Sequence, residues 1–195
     1  MKGEKLVKKK RTFTVMVMLI AVLILGIGYA AISNITLYLN GTANIVADSD
    51  FSVVYDTSHT VGLTADSGQV SMGGSSYAPV AGAYTDTTHA TMTVYLDKNH
   101  TSVSACYKID NNSTALAAQL SASVTQIASP NSAYFGTITH GFYSDSGCST
   151  ALSGNLAANS SAYLKVTVPK GSTEPAEDVA NAAFSVTITA TPQTT

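Results

Sequence analysis

Four histidines, His59, His89, His100 and His140, are the side chains best suited to hold a metal or move a proton. Zinc peptidases commonly place two His on one helical turn with a Glu between them. Here the residues that follow are Thr60, Ala90, Thr101 and Gly141, and the four are scattered over turns and strand ends. Such imidazoles read as solvated or locally hydrogen-bonded groups. There is no Gly-x-Ser-x-Gly elbow, no Ser-x-x-Lys pair and no phosphate-cradling Gly loop. Asp48 and Asp50 flank Ser49 and could offer oxygens to calcium, but the remaining ligands at calcium-loop spacing are missing. The residues assign no catalytic, metal or cofactor site, and the expectation is a protein that is not an enzyme.

Cys106 and Cys148 are the only cysteines. Neither has a Cys-x-x-Cys partner, which argues against a redox role. They either bridge or stay as two free thiols. An even count that is the whole set favours the bridge, and closing such a loop is worth about 4 kcal/mol in the chain-entropy picture. Asn34, Asn40, Asn99, Asn111, Asn112 and Asn159 each begin an Asn-x-Ser/Thr sequon, a number expected by chance where these residue types are so frequent.

The elements that would carry these side chains follow from composition. The net charge of −2 hides an asymmetry: six of the ten basic residues lie in the first eleven positions. From Ala31 onward four lysines face eleven acidic residues, a net −7, which excludes a nucleic-acid binder that must neutralise phosphates. Ser and Thr make up 46 of the 165 residues from Ala31 on, and Trp is absent. Hydroxyl-rich, charge-poor faces suit a β-rich domain outside the cytoplasm rather than a helical body.

The basic segment 1–12 precedes an uninterrupted apolar run, Val15–Ile32. A cationic flank followed by an apolar stretch is the pattern of an export signal. Gly28 and Ala30 supply the small side chains a signal peptidase needs for cleavage between Ala30 and Ala31. The competing reading is an uncleaved anchor, since eighteen apolar residues sit at the lower limit for spanning a bilayer. Either way residues 31–195 form an extracytoplasmic domain, secreted, at the cell surface, or held by a single pass through residues 15–32.

Beyond Ala31 the dominant signal is alternation with period two. It runs through Ile35/Leu37/Leu39, Phe51/Val53/Tyr55, Met92/Val94/Leu96, Val103/Ala105/Tyr107/Ile109 and Leu116/Ala118/Leu120/Ala122/Val124. It continues over Ile138 to Phe142, Ala162/Leu164/Val166/Val168 and Phe184/Val186/Ile188/Ala190. A helical turn is conceivable only around Pro175–Ala183, behind Glu174, Glu177 and Asp178. About eight strands with one apolar face each predict an all-β, two-layer antiparallel β-sandwich behind one N-terminal hydrophobic helix. Residues 57–90, rich in Gly, Ser and Thr, predict a long irregular excursion with one short hairpin, or else a binding loop.

Three stretches resemble a known family. GYAAISNITLYLNGTA places an alternating segment directly after the small-residue site, as in Gram-positive proteins exported through the SipW-type signal peptidase. CYKIDNNSTALAAQLSASV is similar to the strand, Asn-rich turn and Ala-containing strand of the same group, the TasA and camelysin family, and LAANSSAYLKVTVPKGSTEPAEDVANAAFSVTITATP to its closing pair of strands around a Pro- and acid-rich connection. The processed start would be Ala31-Ile32-Ser33-Asn34, where that family often begins Ala-Phe. The resemblance implies a jelly-roll-like sandwich and a role in biofilm matrix fibres, and the camelysin name brings a metallopeptidase activity for which no residues are found. The donor of a fibre contact would be Ala31–Ala47, with Ile35, Leu37, Leu39 and Ile45 inserting into a neighbour's open edge. The alternative is that this segment is simply the first strand of its own sheet.

The function expected is therefore a non-catalytic surface or matrix protein, with self-association or other matrix proteins as partners and a signal peptidase during export. A membrane-tethered adhesion module using residues 57–90 is the runner-up, and a secreted metallopeptidase ranks last.

Overall fold

The computed structural model describes the strand at residues 35–39 and residues 51–193. Within these the chain is all-β. In chain order the strands are β1 (Ile35–Leu39), β2 (Val53–Tyr55), β3 (Gly62–Thr64), β4 (Val70–Met72), β5 (Ser75–Tyr77) and β6 (Val80–Tyr84). They continue with β7 (His89–Val94), β8 (Ser102–Asn111), β9 (Ala117–Thr125), β10 (Thr139–Tyr143), β11 (Ser160–Pro169) and β12 (Ser185–Gln193). One short 3-10 turn, Asn131–Tyr134, is the helical element among the described residues.

One sheet has the order β6-β7-β1-β12-β9. A second runs β10-β11-β8-β2, with β3 pairing β8 beside β2, and β4 and β5 form a separate antiparallel two-stranded sheet. Pairing is antiparallel throughout, except that β1 runs parallel to β7. The alternation read in the sequence becomes burial: Ala162, Leu164, Val166 and Val168 of β11 and Val186, Ile188 and Ala190 of β12 are all at most 1% exposed. Removing that apolar surface from water drives folding at roughly 25 cal/mol per Å². β8 is covered on both faces, because Ser104 and Cys106 are buried along with Val103, Ala105, Tyr107 and Ile109.

Tyr55, Tyr84 and Tyr107 form an aromatic cluster with centroids 5.8–6.2 Å apart. Gly82 of β6 passes directly over it, and a Cβ there would lie 2.9 Å from Val61 Cγ1 and 3.0 Å from Tyr107 Oη. The Tyr84 hydroxyl accepts from the Lys108 backbone N–H at 2.6 Å, filling the gap that β2 and β3 leave along β8. Tyr107 Oη donates to the Thr91 carbonyl at 2.7 Å, joining the two sheets. Tyr55 is equally buried, yet its hydroxyl has no hydrogen-bond partner among the described residues.

That contrast predicts opposite outcomes for one chemical change. Tyr107→Phe removes the bond that ties β8 to the Thr91 carbonyl of the other sheet and should cost about 1 kcal/mol in urea unfolding. Tyr55→Phe removes an unpaired buried hydroxyl and should leave stability unchanged or raise it. Equal losses in the two variants would show that the Tyr55 hydroxyl is bonded in solution.

Two expectations are corrected. The one short hairpin expected in residues 57–90 is there as β4–β5, but the rest of the segment is not irregular: it holds β3, β6 and the start of β7. Their strands are only three to five residues long and carry Gly and Ser where apolar residues would signal a strand. The hairpin turns on Gly73 and Gly74, at φ +57° and +80°, where a side chain would be strained. Pro175–Ala183 forms no helix. Nine residues cannot repay helix nucleation without a packed apolar face, and Asp178 is used instead to accept the Gly73 N–H at 2.9 Å. The predicted N-terminal hydrophobic helix lies outside the described residues; among those that are described, no helix is long and apolar enough to cross a membrane.

Candidate functional site

The donor segment singled out in the sequence lies within its own sheet. β1 pairs with β12 through Ile35↔Ala190, Leu37↔Ile188 and Leu39↔Val186, placing its three apolar positions opposite buried positions of β12. On its other side Tyr38 and Leu39 register with His89 and Ala90 of β7. β1 thus occupies a slot bounded on both sides, parallel to one neighbour and antiparallel to the other. Ile45, the cleavage pair Ala30 and Ala31, and the Asp48/Asp50 pair lie outside the described residues.

Cys106 and Cys148 are bonded, with Cα atoms 6.4 Å apart. The bridge pins the 144–150 turn onto the outer face of β8. Asp145 organises that turn by accepting the Thr150 N–H at 2.5 Å and the Ser149 N–H and hydroxyl. The Thr150 donor, followed by those of Ser149, holds the Asp145 carboxyl below its usual range. Cys148 itself sits at φ +48°.

The four histidines are not brought together. His59 meets the edge of Tyr163, His89 pairs with Asp86, and His140 lies exposed on β10. His100 is 2% exposed with Nδ1 2.7 Å from Asp97, while its buried Nε2 has no hydrogen-bond partner among the described residues. No group of three His, Cys, Asp or Glu side chains among the described residues could hold a metal ion. Lys108 Nζ pairs with Asp56 Oδ2 at 2.7 Å, a tie between β8 and the end of β2. Lys108, then Ser58, hold the Asp56 carboxyl well below the usual carboxylate range.

One cleft of about 880 Å³ lies between the β4–β5 hairpin and the 174–184 segment, with Met72, Tyr77, Met92, Tyr95, Phe135 and Phe184 among its walls. Tyr77 and Tyr95 stack there with centroids 4.4 Å apart. Sequence reading missed this pair, since nothing in two tyrosines eighteen residues apart announces a contact. In the sequence Asn111 stands out only as the start of a sequon. It is 1% exposed, with its amide nitrogen donating to the carbonyls of Leu116, Leu156 and Ala157, so no glycan can sit on it.

Comparison with protein-family models, with curated proteins and with solved structures returned no match.

Proposed function

We propose that this chain is an exported, non-catalytic surface or matrix protein, a two-layer jelly-roll-like sandwich that assembles into fibres by donating its N-terminal strand. The single observation that supports the reading is the position of β1. It is the first strand among the described residues, it fills an interior slot of a sheet, and eleven residues separate it from Phe51. Extended, a linker of that length reaches roughly 36–40 Å, enough to deliver β1 to a neighbouring copy. The slot then exposes unpaired edges of β7 and β12 that only an incoming strand satisfies. Donor and acceptor are different surfaces, so the contact repeats head to tail without closing and yields a filament.

Electron microscopy of the exported chain, residues 31–195, tests this. Fibres are expected with rising concentration, and deletion of residues 31–40 should abolish them. Because that deletion also opens the sheet, a peptide of residues 31–47 added in excess to the intact chain is the companion measurement. It should fill free slots and shorten the fibres. Monomers at every concentration, or fibres indifferent to both treatments, would overturn the proposal.

The tethered adhesion reading draws on a different observation, the cleft walled by Met72 and Tyr77 of the 57–90 region. Amino-terminal sequencing of cell-associated and released material separates the two: Ala31 at the start favours release, Met1 favours tethering.

A further inference from the structure

The outer edge of the first sheet is β9, AAQLSASVT, paired with β12 in one continuous register from Ala117↔Gln193 to Thr125↔Ser185. Ala118 shows which way its backbone groups point. Its N–H donates outward to the Leu156 carbonyl at 2.7 Å, and its carbonyl accepts from Leu156 at 2.8 Å. Pro192, which has no N–H to give, stands opposite it in β12. In an antiparallel ladder the direction alternates, so Leu120, Ala122 and Val124 also turn their N–H and C=O groups away from β12. No strand among the described residues pairs with β9 on that side.

The open stretch has defined ends. At one end the Leu156 bridge covers Ala118. At the other the Gln126 side chain clasps Ile138, donating to its carbonyl at 2.9 Å and accepting its N–H at 2.8 Å. Between them lie residues 119–125, with Ala122 at the centre. Proteins usually protect such an edge with Lys, Pro, a bulge or a covering loop. This one carries no charge, no Pro and no break in register. Leu120, Ala122 and Val124 are half-buried rather than sealed, leaving an apolar strip along the edge.

We infer that β9 is a homodimer edge, pairing antiparallel with β9 of a second copy about a two-fold axis through Ala122. The partner follows from the arithmetic of the edge. A two-fold there sets Leu120 against the second copy's Val124, Ala122 against Ala122, and Val124 against Leu120. All three are outward-facing pairs, so about six backbone hydrogen bonds form and no outward group in the window is left over. Leu120 and Val124 meet on the core side, extending the apolar layer across the contact. On the solvent side Ser121 faces Ser123, with no like charges opposed. The contact is isologous, so by itself it stops at two copies. It uses none of β1, so it stands or falls separately from strand donation.

Sedimentation velocity of the exported chain, with hydrogen exchange at several concentrations, tests it. The amides of Leu120, Ala122 and Val124 should gain protection as dimer forms, whereas exchange of β1 between copies leaves them at their monomer rate. Ala122→Pro removes an outward N–H and none of the pairing to β12, so it should weaken the dimer at least tenfold without shifting the thermal melt of the dilute monomer. Ser121→Lys with Ser123→Lys opposes like charges across the two-fold and should likewise abolish dimer. Ser121→Lys with Ser123→Glu opposes unlike charges and should restore it, a reversal that mere unfolding cannot imitate. Edge amides that exchange freely at every concentration, or a doubly lysine-substituted chain that associates like the wild type, would overturn the assignment. So would protection of the edge with no difference between the two charge pairs, which would mean another strand occupies it.

Discussion

Asn111→Asp is expected to lower stability by roughly 3–5 kcal/mol at neutral pH, although the two side chains have the same shape. Asn111 closes β8, and its amide nitrogen lies 2.9 Å from the Leu116 carbonyl, 3.1 Å from Ala157 and 3.2 Å from Leu156. Its Oδ1 accepts the Ser113 N–H at 3.1 Å. The side chain is thus a clamp between the 112–117 turn and the segment at 156–157, whose Leu156 also holds Ala118. A carboxylate in that place turns a donor into an acceptor and faces carbonyl oxygens with negative charge in a buried site. Burial and those carbonyls would raise the new carboxyl's pKa above its unfolded value of about 3.9. The linkage sign follows: the variant recovers stability as pH falls toward 4 and loses it as pH rises through the raised pKa. At two to four degrees per kcal/mol for a domain of this size, Tm should drop by roughly 6–20 °C at pH 7. Asn111→Ala should cost a similar amount with no such pH dependence. A pH-independent loss in Asn111→Asp, or a loss under 1 kcal/mol, would show that water reaches this clamp.

Much of the strand series is legible because one face of each long strand is buried. β8, β9, β11 and β12 are nine or ten residues long, enough for period two to stand out against a Ser/Thr-rich background. β3, β4 and β5 are three residues each, a length at which alternation has no statistical meaning. Their existence is decided by partners far along the chain, such as Leu63 pairing Ala105. The 3-10 turn at Asn131–Tyr134 carries no side-chain cap and so leaves no mark in the sequence. The candidate sites divide in the same way. The apolar alternation of Ile35, Leu37 and Leu39 is local, but their insertion between β7 and β12 depends on contacts fifty and a hundred and fifty residues away. Asn111 illustrates the limit from the other side: a sequon and a buried clamp have the same three letters, and only burial separates them.

Removing the Cys106–Cys148 bridge is the second large effect. The bonded residues are 42 apart in sequence, and the chain-entropy relation gives about 4 kcal/mol for a loop of that size. Thermal melts with and without reductant should therefore differ by about 8–16 °C, with the double substitution Cys106→Ala/Cys148→Ala matching the reduced wild type. The loss should fall on global stability rather than on the turn itself. Asp145 keeps its bonds to Ser149 and Thr150 when the sulfurs part, so the turn stays formed and the thiols stay close. Reoxidation should then return one species quantitatively, since no third thiol competes. Cys148 adds a second handle, because at φ +48° a Cβ is disfavoured there by about 1 kcal/mol. In the reduced background Cys148→Gly should consequently be more stable than Cys148→Ala by about that amount, against the usual cost of introducing glycine. Coincident melts under oxidising and reducing conditions would mean that the denatured chain already holds the 106–148 loop closed. Equal stability of the glycine and alanine variants would mean that the turn relaxes out of the left-handed region once the bridge is gone.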